Sequence, residues 1–402
     1  MIHLVIASDL FKPSIGGTET VTDNMAINLT RAGYRVTVVA PAIKGTKKTP
    51  KLEKDPAGYS ILRVHSYGLP IQKNLRFGSR AYKQVVNYFS RPGNKVDIVH
   101  VNNPFPTSRT LMKYARVNDL PLVIGSHLMP ESFTFSLRWA DGFAESLNRM
   151  GWRYIAGLYN KADMVVAPTK TALKYLTDNG LKVPTRAISN GIDLRLNAPL
   201  KANRQQLKED LGLSSQYVLV YAGRLAVEKR IDVIVTAFSM LYGKYDIELL
   251  LIGDGNARKR LEKQCKRLKI LDRVKFTGFV QDITSKKKYL AASDIFAIAS
   301  PVELQSIVTM EAMAAGLPVL AVNAGALPEL AQNGLNGATF SDGDAVGLSR
   351  LIGDLVHDPV KLKQYKKGSL EIIKGHDIIK TWHMYSQMYK DVIATHSKHN
   401  NS

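Results

Sequence analysis

The sequence predicts an α/β protein built from two doubly wound, parallel-sheet domains that face each other across a cleft. Three observations lead there. Short β-rich runs alternate with helical patterns, the rhythm stops at a turn-rich stretch near mid-chain, and it restarts beyond that stretch. A length of 402 residues allows two or three domains, and 45% hydrophobic with 22% charged residues is the composition of a chain that folds.

In the first half the β-rich runs are His3 to Ala7, Arg35 to Ala40, Val96 to Val101, Leu122 to Gly125 and Met164 to Ala167. Each precedes a helical pattern, the arrangement that covers a parallel sheet on both faces. Asn190-Gly191-Ile192-Asp193 then marks a turn, and a polar stretch with Pro199 follows, so the hinge is placed there. Beyond it lie Tyr217 to Ala222, Glu248 to Ile252, Val274 to Thr277, Ile295 to Ala299 and Pro318 to Val322. The predicted divisions are residues 1–193, residues 194–378, and a C-terminal segment 379–402: a helix able to cross back to the first domain, then a frayed tail. Ligands of such folds bind at the carboxyl ends of the strands.

Composition narrows the function. The single cysteine, Cys265, excludes an internal disulfide and a multi-cysteine metal site, which fits a reducing cytoplasm. No apolar run approaches the ~18 residues of a membrane span. Met1 to Ala7 meets Asp9 and Lys12 too soon for a secretory signal and reads as a strand. The net charge is +21, and residues 1–200 hold 27 Lys+Arg against 13 Asp+Glu. From Pro41 to Lys95 twelve bases face two acids, Glu53 and Asp55. Such a stretch attracts phosphate, on nucleic acid or on an anionic membrane.

Chemistry is expected at the strand ends. Gly16-Gly17-Thr18-Glu19 follows the first strand and opens a helix, where bare backbone N–H groups approach a phosphate closely; alone, it also reads as a tight turn. Gly223-Arg224 ends a strand, and Glu228-Lys229-Arg230 lies where the next helix begins. Arg224 and Lys229 there are able to grip a diphosphate, or to be a solvated basic turn. Ser300-Pro301-Val302-Glu303-Leu304-Gln305-Ser306 follows a strand, and the helix from Ile307 contains Glu311. Eight helical residues span about 12 Å. Two carboxylates so spaced can each accept hydrogen bonds from one diol, with the N–H groups of Leu304 to Ile307 facing a diphosphate between them. Asp342-Gly343-Asp344 resembles a metal motif but reads as a helix cap.

Taken together, Gly16-Gly17, Gly223-Arg224 with Lys229, and Glu303 with Glu311 followed by Ala312-Met313-Ala314-Ala315-Gly316-Leu317-Pro318-Val319 resemble the retaining family 4 glycosyltransferases of the GT-B fold, which has two Rossmann-like domains. The resemblance spans nearly the whole chain. It implies that residues 1–193 form the acceptor and membrane side and residues 194–378 the donor side. Arg224 and Lys229 would hold the donor diphosphate, Glu311 the ribose, and Glu303 the transferred sugar with the backbone of Leu304, Gln305, Ser306 and Ile307. Gly16 and Gly17 would approach the phosphates from the other domain, and His127 matches the family's cleft histidine. The catalytic set so implied is His127, Glu303, Arg224 and Lys229. No cofactor or metal is implied beyond the nucleotide-sugar co-substrate, a UDP-sugar such as UDP-glucose. The sequence departs from the family at Arg230 and Ser306, where glycine is common.

The acceptor is read from Lys73 to Phe89. Lys73, Arg76, Phe77, Arg80, Tyr82 and Lys83 mix charge with apolar surface, and Tyr82, Val85, Val86 and Phe89 share one helical face. That face suits a membrane interface or packing on the first sheet. Phe133, Phe135, Trp139, Phe143, Trp152, Tyr154 and Tyr159 follow His127 and suit an acyl groove or ordinary core. The loop Glu303-Leu304-Gln305-Ser306 is similar to that of enzymes glycosylating diacylglycerol. The expected protein is thus a glycolipid synthase bound peripherally to the inner face of the cell membrane, with a lipid acceptor and an anionic surface as partners and no nucleic acid. A soluble enzyme with a small-molecule or polysaccharide acceptor is the alternative. A nucleic-acid-binding protein is a remote one, since it gives the glutamates no purpose.

Overall fold

Strand β1 (His3–Ser8) is buried at every position, and its middle, Leu4 to Ala7, is the unbroken apolar run expected where helices cover both faces of a sheet. The computed structural model describes residues 1–13, 16–46, 48–68, 76–78, 81–135, 142–200 and 202–399. The chain divides into two compact units: Met1–Pro130, Glu145–Asn190 and Lys380–Ser402 form the first, Glu131–Ala144 and Gly191–Ile379 the second.

In the first unit, β1, β2 (Arg35–Pro41), β3 (Lys51–Lys54), β4 (Ser60–Val64), β7 (Ile98–Asn102), β8 (Leu122–Gly125), β9 (Met164–Ala167) and β10 (Thr185–Ala187) make one sheet in the order β10-β9-β8-β7-β1-β2-β4-β3. Only the edge strand β3 runs antiparallel to its neighbour. A separate hairpin joins β5 (Ser66–Gly68) and β6 (Arg76–Gly78). The order reverses at β1, where β2 lies on one side and β7 on the other. Because crossovers are right-handed, the reversal puts the Gly17–Arg31 helix on one face and the Ala81–Phe89, Pro106–Val117, Phe143–Tyr159 and Lys170–Thr177 helices on the other. Side-chain contacts agree. Phe89 meets Tyr114 at 5.7 Å, and Trp152 stacks on Tyr175 at 5.3 Å. On the opposite face Tyr389 of the Ile378–His399 helix touches Met25 of the 17–31 helix.

The second unit holds β11 (Tyr217–Ala222), β12 (Ile247–Ile252), β13 (Val274–Gly278), β14 (Ile295–Ile298), β15 (Val319–Val322) and β16 (Gly337–Phe340), in the order β13-β12-β11-β14-β15-β16 and all parallel. Leu219, Leu250, Phe296 and Phe238 are fully buried in its core. Here the order reverses at β11, which pairs with β12 on one side and β14 on the other. The loops leaving β11 and β14 are therefore neighbours at the sheet's carboxyl edge, the place where such sheets bind ligands.

Six strands lay outside the sequence reading: β3 to β6, β10 and β16. The second unit takes in Glu131–Ala144 as well as Gly191–Ile379, rather than residues 194–378 alone, and Ile192 donates its N–H to His376 O within it. The 378–399 helix packs on the first unit through Tyr389, whose hydroxyl lies 2.9 Å from His100 Nδ1, and through His396, whose Nδ1 lies 3.1 Å from Asp163 Oδ1. Among the described residues no helix is long and apolar enough to cross a membrane.

Candidate active site

In the second unit the β11 and β12 loops lie back to back. Leu225 N–H donates to Asp254 O and Ala257 N–H to Leu225 O, both at 2.9 Å. The approach is so close that a Cβ on Gly253 would lie 2.0 Å from Gly223 O, and one on Gly255 2.3 Å from Leu225 O. Gly253-Asp254-Gly255 escaped the sequence reading, although a Gly-Asp-Gly directly after a strand is a turn signal with a steric reason.

The β11 loop presents Arg224 to solvent, its guanidinium on Glu228. A short 3₁₀ turn, Val227–Lys229, follows, and Arg230 then adopts φ +49° before the Ile231–Ser239 helix. That left-handed backbone favours glycine and costs an arginine free energy. It explains the family's preference at this position. Arg230 offsets the cost by anchoring: Nη1 lies 3.1 Å from Asp342 and Nε 3.5 Å from Asp232. Asp344 caps the Ala345–His357 helix through Gly347 N–H at 2.8 Å.

Lys229 and Glu303 are in direct contact, Nζ to Oε1 at 2.7 Å, with little of either side chain exposed. Tyr221 lies beneath them, fully buried, and its hydroxyl donates to Arg224 O at 3.1 Å. Burial first, then the charges of Glu303 and Glu228, raise its pKa, so it stays a neutral donor. Glu303 O accepts from Ala326 N–H at 2.8 Å, which fixes the β14 loop.

Ser306 caps the Ile307–Ala314 helix: its Oγ accepts from Thr309 N–H at 3.3 Å and from the Thr309 hydroxyl at 2.8 Å. The departure from glycine is thus a cap. The N–H groups of Ile307 and Val308 have no acceptor among the described residues. Leu304 and Gln305 are buried in the loop before them. One helical turn on, Glu311 is 8% exposed amid Met310, Ala312 and Met313. Its Oε1 pairs with Lys286 Nζ at 2.5 Å, while Oε2, also buried, has no partner among the described residues. Lys286, on the Ile283–Ala292 helix, was not foreseen. Nothing local marks it, because its role is a tertiary contact.

In the first unit, Gly16 and Gly17 open the 17–31 helix at the end of β1. Gly16 caps it with extended backbone, and a Cβ on Gly17 would have nothing within 4 Å. The His127 backbone N–H donates to Asn103 Oδ1 at 3.1 Å, while its ring Nε2 is buried without a partner among the described residues. Burial lowers its pKa to about 4, so the imidazole is neutral at physiological pH. His100 Nε2 and Asn102 Oδ1, 3.0 Å apart, converge with it on the bare face of Gly125. Burial also lowers His100, to about 3.

The residues read as a membrane contact separate. Lys73 and Arg80 lie outside the described residues, as do the Phe77 side chain and Trp139. Arg76 is held internally, donating to Ala42 O at 2.8 Å, Ser66 Oγ at 2.9 Å and Ser66 O at 2.9 Å. The 81–89 helix buries Ala81, Val85, Tyr88 and Phe89. Its apolar face is core, since a nine-residue helix has one stripe and the sheet with its neighbouring helix covers it. Tyr82 is half-buried under Lys113, and Lys83 is exposed. Trp152 and Tyr159 are core, whereas Phe133, Phe143 and Tyr154 are exposed.

Two family models match this chain one after the other: Glycosyltransferase Family 4 over residues 15–196 and Glycosyl transferases group 1 over residues 203–371. The chain belongs to the family 4 glycosyltransferases. This family 4 glycosyltransferase is 26% identical to the alpha-monoglucosyldiacylglycerol synthase of Acholeplasma laidlawii, over 89% of this chain and 88% of that one. To the alpha-monoglucosyldiacylglycerol synthase of Streptococcus pneumoniae it is 25% identical, over 84% and 75%. Among solved structures it resembles sucrose-phosphate synthase from Thermosynechococcus elongatus with a TM-score of 0.81 at 20% identity, covering 98% of this chain and 100% of that one. The fold of the glycosyltransferase is GT-B.

Proposed function

We propose that this family 4 glycosyltransferase transfers a hexose, with retained anomeric configuration, from a UDP-sugar such as UDP-glucose to a hydroxyl of a membrane lipid such as diacylglycerol, at the inner face of the cell membrane. The observation that carries the donor half is the pairing of Glu303 with Lys229 beside the capped helix that bears Glu311. Glu311 would read the ribose through Oε2, which its ion pair leaves open, and the N–H groups of Ile307 and Val308 would face the diphosphate. Glu303 would accept hydrogen bonds from the sugar. Gly16 and Gly17 would leave the N–H groups at the 17–31 helix terminus bare for a phosphate.

In the reaction the bond from the anomeric carbon to the diphosphate breaks, and the acceptor oxygen bonds that carbon on the same face. The acceptor proton passes to the leaving phosphate oxygen. Arg224 and Lys229 stabilise the charge that collects on the diphosphate, so the step needs no metal. His127, neutral and with an unused ring nitrogen, would orient a sugar hydroxyl without adding charge.

The lipid acceptor rests on the two relatives named as diacylglycerol glycolipid synthases and on the +21 charge. The fold leaves the acceptor open. The test is a screen of UDP- and GDP-sugars against diacylglycerol, phosphatidylinositol and polyprenyl phosphate with EDTA present, products read by mass. A hexosyl-diacylglycerol from a UDP-sugar supports the reading. Transfer only to water-soluble acceptors contradicts it.

A further inference from the structure

With Arg76 bound internally and the 81–89 helix facing the core, membrane docking needs another surface. We infer that the outer face of the helix layer 81–89, 106–117 and 143–159 docks on an anionic lipid bilayer; this rests on the lipid-acceptor reading above. The 106–117 helix exposes Arg109, Lys113 and Arg116, spaced i, i+4 and i+7 on one stripe, and contains no acid. The 81–89 helix adds exposed Lys83, again with no acid. The 143–159 helix adds exposed Arg149 and Arg153 against one acid, Glu145, which pairs with Arg149 at 3.2 Å.

The three helices present one continuous surface. Lys113 Nζ stands 4.6 Å above the Tyr82 ring, and Arg109 donates to the Tyr154 hydroxyl at 3.1 Å. Apolar groups are interleaved with the cations: Met150 is 65% exposed, Tyr154 55% and Val117 66%. The opposite layer is mixed: the 17–31 helix carries Glu19 and Asp23 against Arg31, and the 378–399 helix carries Lys380, Lys390 and Lys398 against Asp391. The layer of the 81–89, 106–117 and 143–159 helices thus exposes six cations, Lys83, Arg109, Lys113, Arg116, Arg149 and Arg153, against one acid.

Cations beside exposed Met, Tyr and Val suit a bilayer interface. Headgroup phosphates take the charges, the acyl boundary takes the apolar groups, and long Arg and Lys stems span the two. A nucleic acid backbone offers the charges a partner but leaves Met150 and Val117 in water. The bilayer is therefore the better match.

The experiment is vesicle sedimentation of the full chain, with phosphatidylcholine alone or mixed with phosphatidylglycerol. One variant carries Arg109→Glu, Lys113→Glu, Arg116→Glu and Arg153→Glu. A charge-matched control carries Lys259→Glu, Arg260→Glu, Lys263→Glu and Lys266→Glu, all exposed on the Arg258–Arg267 helix of the second unit. A third carries Met150→Ser alone. Calorimetry with UDP on every variant tests the donor site separately from docking.

Wild type should sediment with the anionic vesicles only. The first variant should lose at least about a hundredfold in partitioning, at roughly fivefold per cation, while the control stays within a few-fold of wild type. Met150→Ser should weaken partitioning several-fold at unchanged charge. Wild-type sedimentation by the first variant, or an equal loss in the control, overturns the inference. So does loss of duplex DNA binding in the first variant with vesicle binding intact. Weak docking with normal UDP binding would count against this surface alone, whereas absent UDP binding with normal docking would count against the donor reading.

Discussion

Lys229 Nζ lies 2.7 Å from Glu303 Oε1, so the cation expected at the diphosphate and the carboxylate expected at the sugar are already joined. Each fixes the other's rotamer before a substrate arrives. Removing either leaves a partly buried charge without its partner. A double-mutant cycle of Lys229→Met and Glu303→Gln, read as kcat/KM, should show the double variant losing about 1–3 kcal/mol less than the sum of the singles. Strict additivity would mean that the pair does not act as a unit.

Arg224 is largely exposed and touches Glu228. Surface pairs of this kind add little stability, so Arg224→Ala should leave the unfolding midpoint nearly unchanged. Turnover at saturating donor should still fall about a hundredfold, because charge on the leaving diphosphate goes unmet. A variant with normal turnover would remove Arg224 from the chemistry.

The Lys286–Glu311 pair sits against an apolar helix. Lys286→Met would leave Glu311 buried without its cation, at a cost of about 2 kcal/mol in thermal unfolding. UDP binding should weaken, and the preference for UDP over 3′-deoxy-UDP should shrink as the carboxylate loses its orientation. Lys286→Arg should restore much of both. Glu311→Ala should weaken UDP binding outright in calorimetry.

Histidine burial gives a pH signature. His127 titrates near 4 and His100 near 3 in the folded chain, below the ordinary 6.5 of the unfolded one. The unfolded chain therefore binds protons that the folded chain refuses, so these two groups cost stability as pH falls below about 6.5, down to their folded values. For His127 the loss amounts to about 3 kcal/mol, at 1.36 kcal/mol per unit. Thermal unfolding of His127→Gln from pH 7 to 5 should fall less steeply than wild type. Parallel curves would contradict the neutral, buried imidazole.

The sequence displayed the strands whose both faces are buried, because β1 and β11 hold continuous apolar runs and β12 breaks its own only at Glu248. It hid β3 to β6, which lie inside the basic stretch where charge masks alternation; β3 is mostly exposed. Glu303 and Lys229 were legible because each stands in a loop or short turn that follows a strand, and Glu311 because it lies one turn into the helix after that loop. Lys286 was illegible because it meets Glu311 from a separate helix. The stripe of the 81–89 helix left membrane and sheet both open because an amphipathic pattern states that one face is covered, not by what. The cations of the 106–117 helix have a clear spacing, but a chain with 55 Lys+Arg offers many such triplets, and only burial separates them.

The central claim is that the nucleotide diphosphate sits on the second unit, against Lys229, Arg224 and the first turn of the 307–314 helix. A crystal soaked with UDP measures it most directly. The account predicts ribose oxygens within hydrogen-bond distance of Glu311 Oε2 and phosphate oxygens at the Arg224 and Lys229 side chains. Density for UDP elsewhere on the chain, with Glu311 and Lys229 untouched, would contradict it.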